Sequence, residues 1–145
     1  MSEYIILAET IIYKNERLTC INIYNNFRTV ALPAEFNFDM AIMCGPKWSV
    51  GEHKLSVKAI ANTGKELNLG SAVVNIPNED FVYNAFLNNI KVAMDYSVTD
   101  LTFYVYDNDK EVISRKYTVQ PMFVPQKTKN EAAEEAESDE NKEEQ

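Results

Sequence analysis

Apolar side chains recur at every second position through most of this chain, which is the spacing of β-strands rather than helices. Residues 53–61 show it most clearly, with Leu55, Val57 and Ala59 on one face and charged or polar side chains between them. A strand of this kind packs one face on a core and turns the other to water, as in an antiparallel sheet. The alternation therefore predicts antiparallel sheet structure, with one face of this strand buried and the other in solvent.

Eight segments have the composition of strands and are separated by polar or glycine-containing turns. Residues 27–34 are predicted to be irregular, because Leu32-Pro33 excludes a central strand, although it allows an edge or a crossover. Residues 81–94 fit a helix or a strand, and their asparagines weaken the helix. We predict an all-β fold, a single antiparallel β-sandwich with Greek-key or Ig-like connections. The predicted strands are 4–13, 18–24, 36–44, 53–61, 66–76, 86–94, 101–106 and 112–119.

The charge of the chain is concentrated at its C-terminal end. Of the net charge of -8, residues 126–145 carry -5, from eight acidic and three basic residues, which leaves -3 for residues 1–125. We therefore predict two parts, a β-sandwich domain over residues 1–122 and a disordered acidic tail over residues 123–145. The nearly balanced domain offers no basic surface for nucleic acid or for an anionic membrane.

The cysteines and the N-terminus bear on the compartment. Cys20 and Cys44 lie in apolar, strand-like runs without a CxxC pair, so we expect buried thiols rather than a disulfide. The first residues lack a basic segment, and the apolar run that follows is too short for a signal core. We predict a cytoplasmic protein, located in the host cell cytoplasm if it is encoded by a phage.

Groups that could carry catalysis or bind metal are few. His53 is the sole histidine and starts a strand beside a glycine turn, where a solvated side chain is expected. One histidine and two separated cysteines cannot form a structural zinc site. Asp107 and Asp109 supply too few oxygens for Ca²⁺, and Asp95 and Asp100 lie at the other end of the same strand. We predict a non-enzymatic protein with no catalytic residue, metal site or cofactor, and calcium binding is not expected.

Two aromatic features are candidates for recognition. Trp48 and its neighbour Lys47 lie in the loop between two glycines, and an exposed tryptophan is a common anchor of protein interfaces. The alternative is an indole that packs over the end of the sandwich. Tyr104, Tyr106 and Tyr117 are expected in one hairpin, where they either stabilise the sheet or, if exposed, offer a surface for sugar or protein.

Four segments, taken in order, resemble a known family. They are ILAETIIYKNERLTCINIYNNF, LPAEFNFDMAIMC, GEHKLSVKAIANTGKEL and LTFYVYDNDKEVISRKYTV. This order of a first hairpin, a Leu-Pro crossover, a glycine-initiated strand and a final hairpin resembles a family of uncharacterised bacterial and phage proteins, a domain of unknown function. The resemblance spans residues 5–119. It implies a β-sandwich fold and carries over no activity and no site residue.

The function most consistent with these features is a non-enzymatic protein-interaction or assembly module. It would bind a protein partner, or itself, through a sheet edge or the loop that carries Trp48. A phage or mobile-element accessory protein would fit the family resemblance. The alternative is a module that binds a small ligand, carbohydrate or calcium, through loops at one end of the sandwich. A hydrolase with an unrecognised carboxylate site ranks last.

Overall fold

The computed structural model describes residues 4–15 and 17–121. The predicted disordered tail, residues 123–145, lies outside the described residues. The described chain forms nine strands and no helix. They are β1 (Tyr4–Lys14), β2 (Arg17–Ile23), β3 (Phe27–Thr29), β4 (Ala34–Cys44), β5 (Gly51–Ala61), β6 (Glu66–Ile76), β7 (Tyr83–Met94), β8 (Asp100–Asp107) and β9 (Lys110–Pro121).

The strands form two sheets, which confirms the all-β sandwich class. One sheet has four strands in the order β2-β1-β4-β7, and the other has five in the order β3-β9-β8-β5-β6. Neighbouring strands are antiparallel except β3 and β9, which run parallel. The chain crosses between the sheets five times, after β2, β3, β4, β6 and β7. Its hairpins are therefore local, whereas its core is built from strands that are distant in the sequence.

Two strands differ from the sequence prediction. β3 forms inside the stretch that was predicted to be irregular, because Phe27 is buried and pairs with Val119 of β9. The Leu32-Pro33 pair lies beyond the end of this short strand and so does not interrupt it. β7 begins at Tyr83, three residues before the predicted strand, because that residue pairs with Cys44 of β4.

The main core lies between the two sheets and is built from the inward positions of both. Its centre is aromatic. Rings of Phe27, Phe38, Phe103 and Tyr117 contact one another with centroid separations from 5.5 to 6.4 Å. The rings meet tilted or edge to face, as aromatic pairs prefer. This packing fixes the distance between the sheets.

A second, smaller apolar cluster lies on the other face of the four-stranded sheet. Ala41 points to this face because its neighbours along β4 point into the main core. The buried members of the second cluster are Ala8, Ile11 and Ala41, and the partly buried members are Ile6, Leu18, Cys20 and Phe86. Most residues of this second cluster belong to the β1–β2 hairpin, so the hairpin forms most of the apolar surface on this face of the sheet.

Asp39 is a buried carboxylate at the point where β1 stops pairing with β4. Its Oδ2 accepts a hydrogen bond from the N–H of Ile11 at 2.9 Å, and its Oδ1 accepts one from the N–H of Asn89 at 2.9 Å. The β1–β4 register ends at Ala8 opposite Asp39, and the β4–β7 register shifts beside it. The carboxylate thus replaces backbone partners that the two strands lose there.

Candidate functional site

The β4–β5 loop, which carries both predicted contact residues, lies against the β6–β7 loop. Gly45 has a φ of +92°, and a Cβ at that position would meet the carbonyl oxygen of Phe81. Two residues on, the N–H of Lys47 donates to the carbonyl of Glu79 at 2.6 Å. The loop is therefore held by its backbone, and glycine is required where the two loops approach most closely.

The structure places the two candidate contact residues in different environments. Lys47 is exposed, whereas Trp48 is only 8% exposed and belongs to the main core. The indole lies over the imidazole of His53, with ring centroids 5.1 Å apart. This matches the packing alternative for Trp48, and only Lys47 offers its side chain to the solvent.

His53 lies beneath this indole and is 4% exposed, so the expectation of a solvated histidine is wrong. Its Nδ1 lies 2.6 Å from Oδ2 of Asp107, and its Nε2 lies 2.7 Å from the carbonyl oxygen of Ser49. The residue starts its strand as the sequence indicates, but its side chain points inward. The charged partner comes from β8, 54 residues further along the chain, which is why local sequence did not reveal the burial.

These contacts favour the protonated form of the histidine. Burial lowers the pKa of His53, but the hydrogen bond with the Ser49 carbonyl and the hydrogen bond and charge of Asp107 outweigh it, and the pKa is raised above 6.5. A carbonyl and a carboxylate are both hydrogen-bond acceptors, so each ring nitrogen carries a hydrogen and donates a hydrogen bond. The second oxygen of Asp107, Oδ1, is buried and has no hydrogen-bond partner among the described residues.

Ser49, His53 and Asp107 together have the residue types of a hydrolytic triad, but not its geometry. The Oγ of Ser49 lies 3.4 Å from Nε2 of His53, farther than the carbonyl oxygen of the same serine. A triad histidine needs a free lone pair on that nitrogen to accept the serine proton. Here the nitrogen donates to a backbone carbonyl, so the three residues act as a clamp that fastens the β4–β5 loop to β8.

The carboxylates of the turns are used locally. Asp95 accepts hydrogen bonds from the N–H and hydroxyl of Ser97, which lower the pKa of Asp95. Asp100 lies 3.5 Å from the ammonium of Lys116. Within residues 4–15 and 17–121, no three histidine, cysteine or carboxylate side chains gather closely enough to hold a metal ion.

The three tyrosines of the β8–β9 hairpin lie on two different faces. Tyr117 is fully buried in the main core. Tyr104 and Tyr106 lie on the outer face of the five-stranded sheet and are half-buried, with nearly parallel rings 6.2 Å apart and the ammonium of Lys58 over the ring of Tyr106 at 5.4 Å. Of the two alternatives for the hairpin tyrosines, Tyr117 stabilises the core, whereas Tyr104 and Tyr106 form a partly exposed aromatic surface.

One sheet edge, of the kind expected to bind a partner, is open and largely apolar. β2 is the outermost strand of its sheet, and no described strand pairs with its other side. Between residues 18 and 23 it has no charged side chain. Ile12 of β1 and Ile21 of β2 lie on the face of this hairpin that points away from the second cluster, with exposed fractions of 47 and 45%. We call Ile12 and Ile21 the isoleucine face. Ile23, which follows the left-handed Asn22 at the end of β2, is 52% exposed.

A cleft of about 540 Å³ opens next to the isoleucine face, where the chain passes from β2 to β3 and on to β4. Its wall combines aromatic rings, two asparagine amides and one guanidinium group. The lining residues are Ile23, Tyr24, Asn25, Asn26, Phe27, Arg28 and Phe36. The cleft and the β2 edge form one continuous surface, because both contain Ile23.

Comparisons with known proteins add no further constraint. No family model, curated protein or solved structure matches the chain. Among the described residues there is also no helix long and apolar enough to cross a membrane.

Proposed function

We propose that this protein is a non-enzymatic protein-interaction module that binds its partner by strand addition at the β2 edge. The observation that supports the proposal is the open β2 edge, where residues 18–23 carry no charge, with the isoleucine face beside it. Edge strands usually carry charges, prolines or bulges that prevent pairing with other chains. An edge segment without charge or proline, residues 18–21, fits a strand that has a partner.

The chemistry of such binding follows from the backbone. Residues in an antiparallel hairpin alternate between exchanging hydrogen bonds and turning their N–H and C=O groups away from the partner strand. Counting from the closing pair Lys14–Arg17, Leu18 and Cys20 turn these groups to the open edge. An extended segment of a partner can hydrogen-bond there, and its apolar side chains can cover the isoleucine face.

The clamp at His53 supports the non-enzymatic part of the proposal, since its geometry leaves no base for a nucleophile. We place the action of the module in the cytoplasm, because Cys20 and Cys44 are not joined by a disulfide. An accessory role in a phage or mobile element stays a prediction from the family resemblance.

The proposal is tested with one charge on the β2 edge and a matched charge elsewhere. Ile21→Lys places an ammonium in the isoleucine face, whereas Val73→Lys places one on β6, where Val73 is 64% exposed. Both variants and the unchanged protein are used as bait in extracts of the native source, with quantitative mass spectrometry. A partner lost with Ile21→Lys and kept with Val73→Lys supports the module, and equal retention of every captured protein by both variants contradicts it.

A second candidate function is the binding of a small ligand such as a carbohydrate. The supporting observation is the cleft beside Ile23, whose volume lies within the roughly 300–1,000 Å³ of known ligand pockets. Titration with a panel of oligosaccharides, followed through the backbone amide signals of residues 23–28, tests it. Shifts confined to these residues support a ligand site, and unchanged spectra remove this candidate.

A further inference from the structure

We propose that the partner at the β2 edge is a second copy of this chain, paired antiparallel through residues 17–21 with Thr19 on the two-fold axis. The inference rests on the proposed function and gives its partner an identity. The paired strands would join two four-stranded sheets into one continuous sheet of eight. Such a contact is isologous, since the same surface serves on both copies.

The second cluster gives the first argument for a second copy. This cluster ends at the open edge, where Leu18 and Cys20 are only partly buried. In the proposed register Leu18 lies opposite the partner's Cys20, and Cys20 lies opposite the partner's Leu18. The second clusters of the two copies then meet across the paired strands and form one apolar layer. A second copy of the chain is therefore sufficient to cover Leu18 and Cys20, and no other protein is needed.

Hydrogen bonding fixes the register. The backbone groups that face the open edge belong to Leu18 and Cys20, and the next such position, Asn22, has a left-handed φ of +56° that takes it out of regular pairing. Two-fold pairing must therefore set Leu18 against the partner's Cys20, which places Thr19 against its own copy. This arrangement makes four backbone hydrogen bonds and pairs five residues of each strand.

The opposing side chains in this register are compatible. Thr19 faces Thr19, a cross-strand pair that is favourable in antiparallel sheets. Arg17 faces the partner's Ile21, so the two arginines lie at opposite ends of the paired segment. Parallel pairing would set the two Arg17 side chains side by side, which is unfavourable for like charges.

The other sheet edges of the described chain are blocked. β3 has three residues. β7 is interrupted by the register shift at Asn89, whose N–H is bound by Asp39, and it carries the exposed Lys91. β6 has a register shift of its own, and its Gly70 lies against the side chain of Leu87. Bulges and charges of this kind protect an edge, so β2 is the edge that remains for pairing.

The size of the contact predicts a reversible dimer. Five paired residues bury less than the ~1,200 Å² that marks stable interfaces. Sedimentation velocity of the full chain, from about 10 µM to about 1 mM, should therefore show a concentration-dependent shift from monomer to dimer. Thr19→Lys sets two ammonium groups opposite each other and should raise the dissociation constant about fivefold. Thr63→Lys, an exposed turn position, makes the same change away from the edge and should leave dimerisation unchanged.

A cysteine cross-link tests the register. Opposite residues without mutual hydrogen bonds have Cα atoms about 4.5 Å apart, within reach of a disulfide. Thr19→Cys in a Cys20→Ser background should therefore cross-link on mild oxidation. The native Cys20 pair, offset along the strands by two residues, lies at about 8 Å and should not.

The outcomes separate this inference from the proposed function. A dimer that Thr19→Lys weakens and Thr19→Cys locks supports the inference. A monomer at every concentration, or a dimer indifferent to both changes, overturns it. If the chain is monomeric but Ile21→Lys still abolishes capture of another protein, the second copy is ruled out and the interaction module stands. If that capture is also indifferent to Ile21→Lys, both proposals fail.

Discussion

Nδ1 of His53 lies 2.6 Å from Oδ2 of Asp107, and the contact joins the start of β5 to the end of β8 inside the sandwich. The pair makes the stability of the fold depend on pH. The folded-state pKa of His53 is raised above the usual 6.5, so the folded protein holds this proton more tightly than the unfolded chain. The stabilisation is complete below about pH 6.5 and is lost as the pH rises through the folded-state pKa.

Urea unfolding between about pH 6 and pH 8.5 measures this dependence. We expect the free energy of unfolding of the unchanged protein to fall across that range relative to His53→Gln, which has no titrating ring. A difference between the two proteins that grows as the pH rises would contradict the assigned sign.

Trp48 should report the same titration by fluorescence. It is the sole tryptophan, it is 8% exposed, and its ring lies 5.1 Å from that of His53. A buried indole emits at short wavelength and is shielded from iodide, and a protonated imidazole at this distance quenches it. We expect the emission of Trp48 to increase as the pH rises, with a midpoint above pH 6.5. This change should be absent in His53→Gln. A spectrum typical of a solvated indole would contradict the packing of the loop.

The Asp39 carboxylate should be essential for the inner part of the four-stranded sheet, where it bridges β1 and β7 across β4. Asp39→Ala leaves the N–H groups of Ile11 and Asn89 without their acceptors, at a cost of about 2–4 kcal/mol in the free energy of unfolding. Glu35→Ala removes an exposed carboxylate from the same strand and should change the value by less than about 0.5 kcal/mol. Equal effects of the two substitutions in urea unfolding would argue against the bridging role.

Alanine substitutions at Gly45 and Gly64 distinguish the energetic cost of backbone strain from that of a steric clash. Both have a positive φ, +92° and +91°. A Cβ at Gly64 meets nothing, whereas one at Gly45 meets the carbonyl oxygen of Phe81. Gly64→Ala should cost about 1 kcal/mol from strain alone, and Gly45→Ala should cost at least about 1 kcal/mol more. Thermal unfolding of both variants gives the comparison, and a Gly45→Ala that is no worse than Gly64→Ala would refute the close approach.

Removal of residues 126–145 should leave the domain folded. The nine strands and both apolar clusters lie within residues 4–121, so the truncated chain keeps its entire described core. We expect an unchanged unfolding midpoint with a single cooperative transition in calorimetry. Loss of that transition would place part of the folding information in the removed segment.

Sequence patterns predicted the elements of this fold better than their arrangement. The alternation of Leu55, Val57 and Ala59 predicts the inward face of β5, because burial on one side of a strand is a local requirement. The parallel pairing of β3 with β9 was not predictable, because it depends on Phe27 finding a place in a core that distant strands build. Local composition does not record such non-local contacts.

The candidate site shows the same limit. Nothing near His53 in the sequence indicates that Asp107 neutralises it, so the histidine was expected in solvent. The sequence allows two interpretations of Trp48, an anchor of an interface or a residue that packs over the end of the sandwich. The contact of its indole with the buried imidazole of His53 favours packing, and this contact is visible only in the structure. The open edge did have a signal in the sequence, namely that residues 18–23 lack any charge. That signal gains meaning only once β2 is known to be outermost.

The position of β9 has a consequence for how the protein is made. β9 is the last of the nine strands to leave the ribosome, yet it lies between β3 and β8, and Arg115 donates to the carbonyl of Ile5, 110 residues earlier. Until it emerges, Phe27 lacks the ring of Tyr117 and β3 has no strand to pair with. The nascent chain therefore waits with the β3 side of its core open, and the sandwich closes in one late step after translation has passed β9.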